Sequence, residues 1–357
     1  MKILLLSRYG RLGASSRYRS YQYLPFLQNH DIQVTSIPLL DDDYLKAKYD
    51  HQPTSPLKIA GAYIKRLISL LQAKKYDLVW IEYELFPSLP AWFEIILSQQ
   101  VPYIVDYDDA MFHRYDQHPN PILRQLLGNK IDKVMASAAL VTAGNTYLAQ
   151  RAIEAGAKRV EILPTVIDLD RYPPPPTYSE KTVKIGWIGS PTTTKHFQTI
   201  ESSLQAISQK QDIQIVAIGA NQIELPGVNL QIVPWQDSTE VQELQQLDIG
   251  VMPLLDEPWN KGKCGFKLIQ YMAAGVSCIA SPVGVNTEII EHGVNGFLAS
   301  TPDEWISAFQ TLIDNPDLRR QMGVAGRKKV EREYCLQVTA PKLASLLREA
   351  SEKVALK

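Results

Sequence analysis

The chain has 357 residues, of which 37 are basic and 38 acidic, giving a formal net charge of −1. A chain of this length predicts two domains, each large enough for its own core, and the balanced charge argues against bulk binding of nucleic acid. Its three cysteines, Cys264, Cys278 and Cys335, have no metal-ligand spacing, and so sparse a set is typical of a reducing compartment.

The first half of the chain alternates short apolar runs with longer segments of helical periodicity. The run at residues 3–6 is too short for a signal peptide, and none approaches the roughly 20 residues of a membrane-spanning helix, so we expect a cytoplasmic protein. Strands are predicted at residues 3–6, 32–37, 78–81, 103–105, 140–142 and 161–163, and a helix at 57–74. This alternation predicts a parallel, doubly wound sheet.

A loop rich in glycine and basic residues, 10–19, follows the first predicted strand. It would let a ligand approach the backbone, with Arg17 or Arg19 as a fork for an anionic group. A flexible loop before a helix is the alternative. The glycine spacing does not match G-x-G-x-x-G, which also argues against a dehydrogenase. The candidate residues of this loop are Gly13, Ser15, Ser16, Arg17 and Arg19.

Residues 52–76 contain no acidic residue and five basic ones, which are Lys58, Lys65, Arg66, Lys74 and Lys75. On an amphipathic helix this pattern resembles a face that lies on a membrane surface. We favour a solvated face on a packed helix. Peripheral contact with the inner face of a membrane stays open as the alternative.

The acidic segment at residues 106–109 follows the predicted strand at 103–105. Asp106, Asp108 and Asp109 allow three interpretations: helix capping, contact with an acceptor hydroxyl, or binding of a divalent metal. We favour capping with acceptor contact, because lysines and helix N-termini elsewhere supply positive charge. His113 is a candidate for handling a proton or binding a hydroxyl, although a lone histidine is more often structural.

Four prolines at residues 173–176 predict a stiff connector, after which the strand pattern starts again. Strands are predicted at 183–189, 213–218, 230–233, 249–252 and 277–280. The sequence thus predicts Rossmann-like domains at 1–173 and 174–335, with the site in a cleft between two facing sheets. An amphipathic helix at 338–356 lies within a last segment, 336–357, for which packing on the first domain is one option.

The first strand of the second half leads into Gly189, Ser190 and a run of hydroxyl residues that ends at Lys195. A glycine turn with Ser or Thr caps opens a helix whose start attracts anions, and Lys195 would reach a phosphate. An ordinary capped helix is an equal alternative.

Residues 262–275 are the most informative segment, a glycine turn that opens into a helix. Lys263 and Lys267 are four apart, so we expect them on one helical face, with Gln270 three residues later. The N–H groups of a helix start attract anions, and two lysines beside them predict a diphosphate seat. Gln270 both donates and accepts, which suits sugar hydroxyls. A buried helix with two snorkelling lysines is the alternative.

Glu288 follows a glycine turn after the predicted strand at 277–280. It either caps a helix or faces the cleft. The Asn295-Gly296 pair is a turn before a strand and requires no function.

These motifs resemble the family-4 retaining glycosyltransferases of the GT-B fold, over nearly the whole chain. The resemblance is densest at residues 185–191, 262–275, 284–286 and 295–297. That family has Glu-x7-Glu where this chain has Gly262 and Gln270, and an Arg where Ser190 stands five residues before Lys195. The resemblance implies that Gln270 binds the donor ribose, and that fixed cations and helix starts stabilise the leaving diphosphate without a metal.

The resemblance therefore implies an α/β protein of GT-B fold that moves a sugar, with retention, from a UDP- or GDP-sugar to an acceptor hydroxyl. The acceptor is a carbohydrate, a lipid-linked molecule or a small molecule, and no cofactor is needed. The alternatives are a GT-B-fold sugar-nucleotide epimerase and a nucleotide-sugar-binding protein without catalysis.

The candidate residues fall into three groups. The catalytic candidates are Lys267, Lys195, Asp108, Asp109 and His113. The donor-binding candidates are Gly189, Ser190, Lys195, Lys263, Gly265, Phe266, Lys267, Gln270 and Glu288. The loop residues Gly13, Ser15, Ser16, Arg17 and Arg19 are assigned to the acceptor side.

Overall fold

The structure is a computed structural model that describes residues 1–49, 52–174, 182–220 and 223–352. The chain divides into two compact units, each with its own parallel sheet. The first unit consists of Met1–Val166, Gly262–Cys264 and Leu336–Lys357, and the second of Ile167–Lys261 and Gly265–Cys335. Of the predicted proline connector, residues 173 and 174 are described and residues 175 and 176 lie outside the described residues.

The first unit contains six described strands, each overlapping a predicted one. They are β1 (Lys2–Leu6), β2 (Gln33–Ser36), β3 (Leu78–Glu82), β4 (Tyr103–Tyr107), β5 (Leu140–Ala143) and β6 (Val160–Ile162). They lie in the order β2-β1-β3-β4-β5-β6, all parallel. The central strands are buried on both faces, as their continuous apolar runs require. The register brings Glu82, Asp106 and Thr142 side by side at the carboxyl end of the sheet.

The helices of this part of the chain follow the strands and turns. They are α1 (Ala14–Arg19), α2 (Leu24–Asn29), α3 (Asp42–Tyr49), α4 (Pro56–Leu71), α5 (Trp92–Ser98), α6 (His113–Asp116), α7 (Pro121–Leu127), α8 (Lys130–Ser137) and α9 (Thr146–Glu154). The helix predicted at 57–74 is α4 followed by a 3₁₀ turn, Ala73–Lys75. Asn120 and Asn145 cap α7 and α9 with their side-chain oxygens.

The second unit also contains six described strands, again all parallel. They are β7 (Val183–Ile188), β8 (Ile213–Ile218), β9 (Leu230–Val233), β10 (Ile249–Met252), β11 (Ser277–Ala280) and β12 (Gly296–Leu298). Their order is β12-β11-β10-β7-β8-β9. The bounds of β8 to β11 are those predicted, because each is a short apolar run between turn residues.

The helices of the second unit and the last helix of the described chain complete the fold. They are α10 (Thr194–Gln198), α11 (Glu201–Ser208), α12 (Glu240–Leu244), α13 (Pro258–Lys261), α14 (Phe266–Ala273), α15 (Asn286–Ile289), α16 (Pro302–Asp314), α17 (Pro316–Glu333) and α18 (Leu336–Glu352). Among the described residues, no helix combines the length and the apolar character needed to cross a membrane.

The last helix, α18, belongs to the first unit. The hydroxyls of Tyr23 and Thr339 lie 3.0 Å apart in the interior, and Arg159 Nη1 donates to Glu349 Oε2 at 2.7 Å. This helix starts two residues before the predicted one, and the predicted residues 353–356 lie outside the described residues.

Candidate functional site

The start of α14 is shaped by Gly265, the residue before its first turn. Gly265 has φ +65°, in the left-handed region, and a Cβ at this position would lie 2.3 Å from Ile289 Cδ1. Both facts require glycine. The helix therefore begins at Phe266, which is half-buried against the core, and its N-terminus carries the positive end of the helix dipole. A helix start of this kind favours anions, and the diphosphate seat expected here stays a prediction.

Lys267 lies in the first turn of α14 and projects over the buried ring of Trp187. Its Nζ is 5.6 Å from the ring centroid, and Trp187 also stacks on Phe197, with the ring centroids 5.4 Å apart. Gly189 borders the same indole, because a Cβ there would come within 2.3 Å of it. The end of β7 and the start of α14 thus bring Lys267 and Gly189 to one aromatic platform.

Two buried amides lie beside this helix start. Gln270 is 4% exposed, and its side chain makes no hydrogen bond to any residue that the structure describes. Asn286 donates to Ser281 O at 3.0 Å, while its Oδ1 is buried and has no partner in the described chain. A Cβ on Gly265 would lie 3.6 Å from that oxygen. Buried polar atoms are nearly always paired, so Asn286 Oδ1 is a candidate contact for a polar ligand beside Gln270.

Lys263 does not share a face with Lys267, so that prediction is wrong. The helix begins only at Phe266, so Lys263 lies before it, in a short stretch that belongs to the first unit. Its Nζ lies 3.6 Å from Asp109 Oδ1. At Gly262, a Cβ would lie 2.6 Å from the backbone nitrogen of Ala110, so no side chain fits where the resembled family has its first Glu.

The segment after β7 has the geometry of the helix-capping alternative. Ser190 and Thr193 form a capping box around a 3₁₀ turn, and Ser190 N donates to Thr193 Oγ1 at 3.1 Å. The following helix, α10, has only five residues and carries Lys195 on its exposed side. The anion-binding helix start predicted here is therefore a capped turn, and Lys195 is the cation that it presents.

Glu288 is exposed in the short helix α15. Its backbone carbonyl accepts a hydrogen bond from Lys329 Nζ at 2.6 Å. This contact ties α15 to α17, and both predicted roles of the Glu288 side chain, capping a helix or facing the cleft, stay predictions.

In the first unit, residues that follow β1 donate hydrogen bonds to Glu82. Ser16 is fully buried and donates to Glu82 Oε2 at 2.6 Å, and the Arg8 N–H donates to the same oxygen at 2.9 Å. Gly13 is needed for this close turn, because a Cβ there would lie 2.6 Å from Tyr9 Cβ. Ser15 is half-buried beside them on α1.

Arg19 is not a fork for a ligand, contrary to the prediction. It is 2% exposed, and its Nε donates to Asp106 Oδ2 at 2.8 Å. Its Nη1 donates to Leu163 O at 2.6 Å, and Thr142 Oγ1 donates to Asp106 Oδ1 at 2.6 Å. The buried pair is satisfied within the protein. Arg17 Nη1 in turn donates to Arg11 O at 3.2 Å and its guanidinium lies over Tyr18.

Asp108 and Asp109 also have partners inside the first unit. The Tyr83 hydroxyl donates to Asp108, and Tyr83 itself has φ +63°, a strained conformation for a tyrosine. Burial, together with the charge of Asp109, raises the pKa of Asp108 to about 6. Within the described ranges no group of three or more His, Cys, Asp or Glu side chains is arranged to hold a metal.

His113 has both ring nitrogens occupied by the protein. Nδ1 is 2.8 Å from Asp116 Oδ1 and Nε2 is 2.8 Å from the Tyr147 hydroxyl. This geometry gives His113 a structural role in holding α6 to α9 and disfavours the proton-handling role.

Sequence reasoning missed Glu82. Burial raises the pKa of this carboxyl to about 7, and its Oε1 is buried without a hydrogen-bond partner among the described residues. The signal was present, because Glu82 directly follows a buried apolar run, as Asp106 does. Both are therefore at the carboxyl end of the sheet, where ligands of parallel sheets bind.

Comparisons with known proteins agree with this architecture. Residues 182–315 match the family described as Glycosyl transferases group 1. Over 86 residues, 24% of this chain, the sequence is 36% identical to N-acetyl-alpha-D-glucosaminyl L-malate synthase of Bacillus anthracis, and the match spans 22% of that relative.

Solved structures of similar fold cover nearly the whole chain. Sucrose-phosphate synthase from Thermosynechococcus elongatus has a TM-score of 0.73 at 15% identity, covering 98% of each chain. HepE of Anabaena, solved in complex with UDP-glucose, has a TM-score of 0.70 at 16% identity, covering 98% of this chain and 100% of that one. The chain is thus similar to glycosyl transferases group 1 over residues 182–315, and the predicted GT-B fold class is confirmed.

Proposed function

We propose that this chain, whose residues 182–315 are similar to glycosyl transferases group 1, transfers a sugar from a UDP- or GDP-sugar to an acceptor hydroxyl, with retention and without a metal or other cofactor. The observation that carries the proposal is Lys267 over Trp187 at the N-terminus of α14. A cation fixed beside the positive end of a helix suits a diphosphate better than a neutral ligand.

In the reaction, the bond between the sugar C1 and the diphosphate oxygen breaks and a bond from C1 to the acceptor oxygen forms. The acceptor proton passes to the departing diphosphate on the same face, which retains the configuration at C1. Lys267 and the first-turn N–H groups of α14 stabilise the negative charge that develops on the diphosphate. No enzyme nucleophile takes part.

The donor side belongs to the second unit. Gln270 binds the ribose hydroxyls, since it is a buried amide one turn from Lys267 and makes no hydrogen bond to the described residues. Lys195, on the helix α10 that follows β7, helps to neutralise the charge of the diphosphate. UDP-glucose in the HepE complex supports a uridine nucleotide as the first donor to test.

The acceptor side belongs to the first unit, at the carboxyl end of β1, β3 and β4. Glu82 and Asp108 have pKa values raised to about 7 and about 6, mainly by burial, which suits groups that exchange hydrogen bonds with a hydroxyl near neutral pH. The acceptor is a carbohydrate, a lipid-linked molecule or a small molecule. L-malate, in the name of the B. anthracis relative, supports including small carboxylates.

The absence of a metal requirement rests on the partners of the acidic residues. Asp106 is bound by Arg19, Asp108 by Tyr83, and Asp109 faces Lys263. A metal would have to displace each of these contacts, whereas Lys267 and the helix start already supply positive charge.

The test is a panel of UDP- and GDP-sugars offered with and without acceptors, in which both free nucleotide and glycosylated product are followed. Product formation with the α-anomeric configuration of the donor, read by NMR, supports retaining transfer. An altered sugar nucleotide formed without acceptor would identify an epimerase instead. Thermal stabilisation by nucleotide sugars with no turnover in the whole panel would identify a binding protein.

A further inference from the structure

Helix α4 exposes a continuous apolar stripe. Leu57 is 83% exposed, Ile64 59%, Ile68 52% and Leu71 79%, with Leu67 at 44% on the edge. These positions recur at helical spacing and fall on one face over four turns of the helix, together with the small residues Ala60 and Gly61. Single exposed leucines are common on proteins, but a whole helical face of them marks an interaction surface.

The opposite face of α4 is anchored, so this exposure is not the result of a loosely held helix. Arg66 is 1% exposed and its Nη2 donates to Ser7 O at 2.6 Å and to Ile37 O at 3.1 Å. The Tyr63 hydroxyl donates to Pro87 O at 2.8 Å. These contacts fix which face of the helix is turned outward.

The charge around the stripe indicates what covers it. Residues 52–76 contain no acidic residue, and with Arg66 buried, four exposed lysines remain, which are Lys58, Lys65, Lys74 and Lys75. Lys58 and Lys65 are seven residues apart and border one side of the stripe. The whole chain carries a net charge of −1, so this segment is more basic than the chain as a whole.

We infer that α4 docks the first unit on an anionic lipid surface. The stripe lies among the upper acyl chains, and the lysines meet the headgroups, which is the arrangement of an interfacial amphipathic helix. This partner is additional to the proposed transfer activity and does not rest on it. The buried face of the same helix reaches Ser7 through Arg66, so the docked helix is anchored to the end of the first strand.

The experiment is co-sedimentation of the purified full chain with vesicles of phosphatidylcholine, with and without phosphatidylglycerol. We expect binding only to the anionic vesicles, and its loss as salt is raised. Ile64→Ser/Ile68→Ser is compared with Ile153→Ser/Val338→Ser, which changes two residues of similar exposure elsewhere on the first unit, 58% and 46%. Lys58→Glu/Lys65→Glu is compared with Lys133→Glu/Lys158→Glu, which has the same change of net charge.

We expect each α4 variant to lose binding by at least about tenfold, while both controls bind as the unaltered chain does. For the lysine variant, this follows because each surface lysine contributes about fivefold to binding. Melting temperatures and UDP binding should be unchanged in all four variants, which separates this inference from the proposed function. Equal binding to neutral and anionic vesicles, equal losses in the controls, or no vesicle binding would overturn it. So would a dimer, by light scattering, that dissociates in Ile64→Ser/Ile68→Ser.

Discussion

The ammonium group of Lys267 lies over the face of Trp187, 5.6 Å from the ring centroid, in the first turn of α14. The contact orients a flexible side chain at the place where leaving-group charge would develop. Trp187 lies on β7 and Lys267 on α14, so the contact joins a strand to a helix within the second unit.

Lys267→Ala should therefore lower the rate of transfer by about 10²–10³-fold, the usual loss when one stabilising group of a developing anion is removed. Circular dichroism should show an unchanged fold. Lys210→Ala, an exposed lysine of the same unit, is the control and should keep full activity. Near-normal turnover in a folded Lys267→Ala protein would remove Lys267 from the site.

Activity should not require a divalent metal. Turnover should be the same after dialysis against EDTA and after addition of Mg²⁺ or Mn²⁺, since the candidate carboxylates are already bound by Arg19, Tyr83 and Lys263. Activity that is lost in EDTA and restored by Mg²⁺ would instead assign a metal to the segment at 106–109.

Gln270 should act through hydrogen bonds and not through charge. Gln270→Leu should weaken binding of both UDP and the UDP-sugar by about 1–3 kcal/mol, because ribose hydroxyls would lose their partner. Gln270→Glu should be tolerated, since a carboxylate still accepts hydrogen bonds from the ribose hydroxyls.

Thermal melts together with nucleotide titrations distinguish this role from core packing. If Gln270 only packs in the core, Leu should be harmless or stabilising and Glu should destabilise by burying a charge. Unchanged nucleotide affinity in Gln270→Leu would refute the ribose assignment.

Glu82 should make the stability of the protein depend on pH. Burial raises the pKa of its carboxyl from 4.5 to about 7, so between these pH values the folded state holds a proton that the unfolded state has released. The free energy of unfolding should therefore fall as pH rises through this window, by about 3 kcal/mol at about 1.4 kcal/mol per pKa unit.

Glu82→Gln, which is neutral throughout, should lose less stability between pH 4.5 and pH 7 than the unaltered chain, as measured by urea denaturation. Asp108, whose pKa burial raises to about 6, keeps its own contribution in both proteins. Parallel pH profiles for the two proteins would contradict the raised pKa of Glu82.

Gly262→Ala should destabilise the protein by about 1–3 kcal/mol, because the added Cβ would lie 2.6 Å from the backbone nitrogen of Ala110. The matched control is Gly61→Ala in α4, where a Cβ meets nothing within 4 Å. That change should stabilise by about 0.5–1 kcal/mol, the helical preference of Ala over Gly. Equal melting temperatures for Gly262→Ala and the unaltered chain would contradict the steric reason for this glycine.

The strands of the fold could be predicted from the sequence because burial on both faces leaves a local signal. Residues 213–218 are a run of apolar side chains between polar turns, and the strand has the same bounds. The start of α14 could also be predicted, because a glycine before an amphipathic segment indicates where a helix begins. What sequence could not give was that Gly265 turns the chain at φ +65° and so separates Lys263 from Lys267.

The partners of the charged residues could not be predicted from local sequence patterns. Arg19 looked available for a ligand, but Asp106, 87 residues later, binds its guanidinium. His113 has its second partner, Tyr147, 34 residues away. Such pairings are decided by the topology of the sheet, whereas periodicity reports only which face of an element is apolar.

The first unit is assembled from three separate pieces of chain, and this sets an order of events during synthesis. The ribosome completes Ile167–Cys335, which contains the whole second unit, before it makes α18. The second unit can therefore fold while the first still lacks the helix that supplies Thr339 to Tyr23 and Glu349 to Arg159. The unit that begins the chain is the later of the two to become complete, and its nascent form leaves the α18 side of its core uncovered until the last turns of that helix emerge.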